Sequence, residues 1–112
     1  MIVRLDGYLM NVWSLNKDNA IRRILHILVD RCGPDAFSLS VRWENEKSAV
    51  GIFQPGEESI FAYIFTYGQE KGRYGLHLEY PGVDNLGTST QMIENIELNN
   101  LIELLEMHFN IV

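Results

Sequence analysis

Between Phe37 and Tyr80 the sequence runs through four segments of strand character, joined by connections of only a few residues. Phe37, Leu39, Val41 and Trp43 alternate with Ser38, Ser40 and Arg42, the period of a strand with one buried and one wet face. Glu44–Ser48 is a polar turn. Ala49–Gln54 follows and is closed by Pro55-Gly56, a pair whose backbone preferences end a strand. Ile60–Tyr67 is uncharged and rich in aromatics on both faces, so it belongs where both faces are covered. Beyond the Gly68–Gly72 turn, Tyr74, Leu76, Leu78 and Tyr80 alternate with Gly75, His77 and Glu79. A parallel crossover needs about a dozen residues or more, and these connections are far shorter. An antiparallel meander is the expected result.

Two helices flank it. Ile21, Ile24, Leu25, Leu28 and Cys32 recur at helical spacing, which predicts a helix over 17–32. Asn16 reads as its N-cap, Asp18 lies in the first turn, and Gly33-Pro34 ends it. Cys32 continues the apolar stripe and reads as a core residue. Leu98, Leu101, Ile102, Leu105 and Phe109 predict a second helix over 98–109, with Glu97 where Ser or Asp would cap better. Met1–Leu5 alternates weakly, as a short strand stopped by a turn at Asp6-Gly7. Tyr8–Leu15 is apolar without a period that assigns it. Pro81–Thr90 is a loop, and Met92–Ile96 fits an edge strand. The expectation is a single α+β domain over residues 1–112, with an antiparallel meander of about four to six strands packed against an N-terminal and a C-terminal helix.

A chain of 112 residues with 46% apolar composition can bury one core without disulfides or a metal. No stretch is apolar enough to cross a membrane, and Arg4 and Asp6 interrupt any leader-like start. One cysteine, Cys32, leaves no internal disulfide, and a cytoplasmic location is expected. The net charge is −6, and its distribution is uneven. Residues 1–73 hold nine acidic and nine basic side chains, whereas Tyr74–Val112 holds Glu79, Asp84, Glu94, Glu97, Glu103 and Glu106 with no Lys or Arg. Such a region repels nucleic-acid phosphates and anionic lipid and attracts a basic partner.

The sequence contains no recognisable catalytic or metal motif. His26, His77 and His108 stand apart, without ligand-type neighbours at i+3 or i+4. Cys32 has no base nearby in sequence, and nucleotide-binding glycine patterns are absent. Glu57-Glu58 and Glu44/Glu46 lie in polar turns where carboxylates are ordinarily solvated. His77 and Glu79 share one strand face and form the best candidate acid–base pair, though an exposed strand face explains them equally. No cofactor is implied. Trp43, Tyr63, Tyr67, Tyr74 and Tyr80 are side chains of the kind that anchor interfaces. Alternation places Tyr74 and Tyr80 with Leu76 and Leu78, towards the core. The expected partner-binding residues are Glu57, Glu58, Tyr67, Glu70, His77, Glu79, Asp84 and Glu94.

Gly72–Pro81 (Gly-Arg-Tyr-Gly-Leu-His-Leu-Glu-Tyr-Pro) and Ile93–Phe109, with Ile-Glu-Asn-Ile leading into a Leu-rich helix, resemble small bacterial immunity proteins. Those proteins accompany polymorphic toxins and contact-dependent growth inhibition systems. The resemblance covers about a third of the chain and implies a non-enzymatic cytoplasmic protein that masks the active site of one cognate toxin domain, often a nuclease. An acidic inhibitor suits a basic substrate cleft. Two other classes fit the residues: an adaptor that forms a homodimer through an aromatic sheet face, and a small-molecule-binding or enzymatic domain centred on His77 and Glu79.

Overall fold

The computed structural model of the chain describes residues 2–5, 8–81 and 88–109. In chain order the elements are β1 (Ile2–Leu5), β2 (Tyr8–Asn11), a short 3₁₀ turn (Val12–Ser14), α1 (Asn19–Cys32), β3 (Ser38–Leu39), β4 (Ala49–Gln54), β5 (Glu57–Phe65), β6 (Tyr74–Pro81), β7 (Thr88–Ile96) and α2 (Leu98–His108). The class is α+β. Among the described residues the strands form one seven-stranded sheet in the order β2-β1-β3-β4-β5-β6-β7.

The sheet is wider than the expected meander, and it is mixed. From β3 to β7 each strand pairs antiparallel with the next, as short connections require. β1 instead pairs parallel with β3, Arg4 opposite Ser38, and antiparallel with β2. The long connection through β2 and α1 supplies the crossover that a parallel pair needs. The expected turn at Asp6-Gly7 and residues 82–87 of the loop 81–90 lie outside the described residues, while Pro81 and residues 88–90 belong to β6 and β7, so the edge strand expected at Met92–Ile96 starts four residues earlier.

α1 starts at Asn19, two residues later than its periodicity suggested. Asp18 is extended and occupies the N-cap position without a side-chain cap bond, while its N–H donates to the Lys47 carbonyl at 2.9 Å. The Asp18 carbonyl accepts the first helical bond, from the Arg22 N–H at 3.0 Å, so the helix begins after it, and Asn16 lies outside. Gly33 ends the helix at φ 87°, where glycine carries no Cβ penalty, and donates to Val29. Cys32 is half-buried at the end of the stripe rather than inside the core. Glu97 precedes α2 without a side-chain cap bond, as a Glu at that position implies.

Both helices lie on one face of the sheet. Ile21, Ile24, Leu25 and Leu28 of α1 and Leu101, Ile102 and Leu105 of α2 pack with Val50, Ile52, Ala62, Ile64, Leu76 and Leu78. Tyr74 is buried in this cluster and Tyr80 packs against it, so alternation placed both correctly. Arg31 reaches Glu106 at 2.8 Å and ties the two helices together. The opposite face carries a second, smaller cluster of Ala49, Phe61, Tyr63 and Phe65, with Trp43 and Phe53 against it. β5 is thus covered on both sides, as its two apolar faces require, but it runs Glu57–Phe65 and not 60–67: Glu57 and Glu58, expected in a turn, start the strand, and Tyr67 lies past its end.

Candidate functional site

The helix-free face takes its form from a strand that stops early. The expected strand over 37–43 is only two residues long, Ser38–Leu39. Ser40 still donates to the Gly51 carbonyl at 2.8 Å, but its hydroxyl then accepts from the Arg42 N–H at 3.1 Å and turns the chain. Trp43 adopts a left-handed backbone, φ 62°, which is rare for a bulky residue. Strand alternation would put Trp43 beside Leu39. The turn puts it on the other face, over Gly51. The Lys17 ammonium holds this turn by donating to the Trp43 and Glu46 carbonyls, each at 2.7 Å.

The rings on this face form a continuous row. Trp43 lies 4.5 Å from Tyr63 and 5.6 Å from Phe61 between centroids; Tyr63 stacks at 5.4 Å on Phe65, and Phe65 at 4.8 Å on Tyr67. Such separations suit offset and tilted aromatic pairs. His77 packs on the same row, 5.8 Å from Tyr63 and 5.1 Å from Phe65. The Arg42 guanidinium sits 4.5 Å from the Trp43 centroid and 5.4 Å from that of Phe61, within cation–π range. Two glycines make room for the rings. A Cβ at Gly51 would stand 2.6 Å from Phe61 Cζ, and one at Gly75 would overlap the Phe65 ring.

Two open cavities flank Arg42. One, of about 270 Å³, is bordered by Val41, Arg42, Phe53, Glu58 and Phe61. The other, of about 260 Å³, is bordered by Arg42, Trp43, Tyr63, Tyr67, His77 and Glu79. Burial, and secondarily the 3.0 Å hydrogen bond to Tyr67, raises the Tyr63 phenol well above its ordinary value, so it stays protonated. Glu46 is held below the usual carboxylate range by the hydroxyl and N–H of Ser48. Among the described residues, no three His, Cys, Asp or Glu side chains converge as a metal cage. No helix of the described chain is long and apolar enough to cross a membrane.

The eight residues expected to bind a partner separate into groups. Tyr67, His77 and Glu79 meet at one cavity. Glu58 borders the other, and Glu57 is exposed beside it at the β4–β5 hairpin. Glu70 and Glu94 are exposed at the far end of β5, where the Asn95 side chain accepts from the Glu70 N–H at 2.8 Å. Asp84 lies outside the described residues. The acidic last third of the chain is likewise divided. Glu97 is 3.3 Å from Arg73 and Glu106 is paired with Arg31, whereas Glu79 is on the ring-bearing face.

Sequence reasoning passed over Arg42, Val41 and Met92 as site residues. Met92 was legible only as the start of an edge strand, and its place opposite His77 is set by the β6–β7 register. Arg42 and Val41 depend on the turn at Ser40, which the alternating pattern conceals. Comparison with protein-family models, with curated proteins and with solved structures gave no match.

Proposed function

We infer that this chain is a protein-binding domain of the immunity type, which masks the active site of a cognate, basic toxin domain with the helix-free face of its sheet. The observation that carries the reading is the distribution of exposed apolar side chains. Val41 and Tyr67, each about half exposed, and Met92, 70% exposed, border the aromatic row, whereas the exposed Trp13 and Met107 lie elsewhere, against His26 of α1 and on α2. Ile2 and Leu9 belong to the same face, since their neighbours Val3 and Met10 point into the helix-side core. A rigid aromatic centre with exposed apolar and charged edges has the composition of a protein interface.

Glu46, Glu58 and Glu79 surround this face, and Arg42 is the cation bordering both of its cavities. The acidic margin and the overall charge of −6 suit a basic partner surface of the sort that binds nucleic acid. His77 and Glu79 share their cavity with Arg42, Tyr63, Tyr67 and Thr90, polar groups that a protein interface uses as readily as a small-molecule site does.

The test is co-expression with the product of the adjacent upstream gene, followed by assay of that product's toxicity in the purified pair. Neutralisation is expected, and Tyr67→Ala with Val41→Ser should weaken it by about tenfold or more while leaving the fold intact. A chain that self-associates through this face and leaves the toxin active would replace the reading with a homodimeric adaptor.

A further inference from the structure

The two margins of the sheet are unlike. β2, at one edge, has four residues and runs directly into a 3₁₀ turn. β7, at the other, has nine residues and is bonded to β6 alone among the described residues. Every second residue of such a strand directs its N–H and C=O away from the sheet, unpaired. Proteins ordinarily blunt a long edge with Lys, Pro, a bulge or a covering segment. Thr88–Ile93 contains no charge, proline or glycine, and its Thr and Ile favour extended backbone. The bulge of this strand comes later, at Asn95 with φ 52°. There it is fixed from both sides: Asn95 N–H donates to the Gln69 side chain at 2.6 Å, and Asn95 Oδ1 accepts from Glu70 N–H. The irregularity closes the far end of the edge and leaves 88–93 regular.

We propose that the outer edge of β7, Thr88–Ile93, is a strand-addition site for an extended segment of the partner protein carrying Lys or Arg at alternate positions. The proposal rests on the protein-binding reading above and names how the partner enters. Charge selects the occupant. β6 and β7 carry no Lys or Arg, and their carboxylates are Glu79, directly across from Thr90, and Glu94, with Arg42 bordering the same cavity as Thr90 and Glu79. Strands lie about 4.8 Å apart, so a long basic side chain opposite Thr90 reaches over that short residue towards Glu79. Met92, exposed beside His77, offers apolar cover to the stem of the same side chain. An added strand would extend the sheet and prolong the aromatic face in one step.

The experiment titrates the isotope-labelled full chain with a short synthetic peptide alternating lysine and valine, and follows amide hydrogen exchange residue by residue. Saturable binding is expected, with new protection at alternate amides of Thr88–Ile93. A peptide alternating glutamate and valine should bind at least about tenfold more weakly. The double variant Thr90→Lys/Met92→Lys, exposed and so compatible with folding, should cost a similar factor. No binding, binding without protection of β7, or equal binding to the double variant would each overturn the proposal. So would protection of β7 that grows with protein concentration in the absence of peptide, since a second copy would then own the edge. Toxin neutralisation that survives Thr90→Lys/Met92→Lys but is lost in Tyr67→Ala/Val41→Ser removes the strand-addition site alone. A β7-protecting peptide with no neutralised toxin removes only the toxin.

Discussion

His108 sits in the last turn of α2 with its Nε2 2.8 Å from the Phe61 carbonyl oxygen, a contact that links the helix to β5. A carbonyl only accepts, so Nε2 carries the hydrogen and Nδ1 is the bare nitrogen of the neutral ring. Nδ1 is buried and finds no hydrogen-bond partner among the described residues. The rings of Tyr80 and Phe109 meet the imidazole edge-on at 4.7 and 5.0 Å. Burial lowers the His108 pKa below 6.5, and the bond to Phe61 offsets this only in part. The unfolded chain therefore holds this proton more tightly than the folded one. Its contribution to stability is complete above about pH 6.5 and is lost as pH falls through the window down to the depressed folded value. Urea denaturation at about pH 7.5 and about pH 5 should show a larger loss of midpoint in the wild type than in His108→Gln. The variant itself should cost about 1 kcal/mol at the higher pH through the altered Phe61 contact. Identical pH dependence in the two proteins would exclude His108 as the titrating group.

At the scale of elements, the turn over residues 41–48 decides what the open face becomes. Holding Trp43 in a left-handed backbone costs roughly 1 kcal/mol, and the Lys17 ammonium offsets it by binding two carbonyls of the turn. Burial lowers the Lys17 pKa, with Glu46 and Glu44 acting the other way. Lys17→Met should destabilise the fold by about 2 kcal/mol and release the turn. In a Trp13→Phe background, where Trp43 is the remaining indole, its fluorescence should shift to longer wavelength before global unfolding. A fixed emission maximum would show that the aromatic packing, not Lys17, secures the turn. This turn was also the element least legible in the sequence. Val41 and Trp43 continue the apolar alternation of Phe37 and Leu39, while the competing signal is one hydroxyl, Ser40, whose hydrogen bond is local and has no period. β6 and α2 were readable because their alternation or helical spacing coincides with burial in the fold, and β4 because Pro55-Gly56 closes its apolar run. The parallel partnership of β1 with β3 was not, because pairing across a long connection leaves no mark in either short strand. The same logic divides the site. His77 and Glu79 follow from strand parity, whereas Tyr67 lies in the turn beyond β5 and Arg42 reaches the rings only through the turn at Ser40.

Over the whole molecule the charge of −6 is less informative than its placement. Reading the acidic last third as one surface overlooks that α2 and β6 turn their carboxylates to opposite sides of the sheet. Glu103 is exposed on the helix layer, and Glu106 is spent on Arg31. Glu79, by contrast, joins Glu58 around the ring-bearing face through strand pairing, not through proximity in sequence. Net charge and local charge can therefore be separated by substitution. Each Glu→Lys or Asp→Lys change adds two positive charges, so Glu58→Lys/Glu79→Lys and Asp30→Lys/Glu103→Lys both move the chain from −6 to −2. If the open face meets a basic partner, the first pair should slow association by about tenfold and remove most of its salt dependence. The second pair, on the exposed sides of α1 and α2, should change the rate by about twofold or less, through long-range attraction alone. Stopped-flow association with the toxin domain at two salt concentrations measures both. Equal effects from the two pairs would mean that the partner senses only the overall charge, and the face-specific model would be withdrawn.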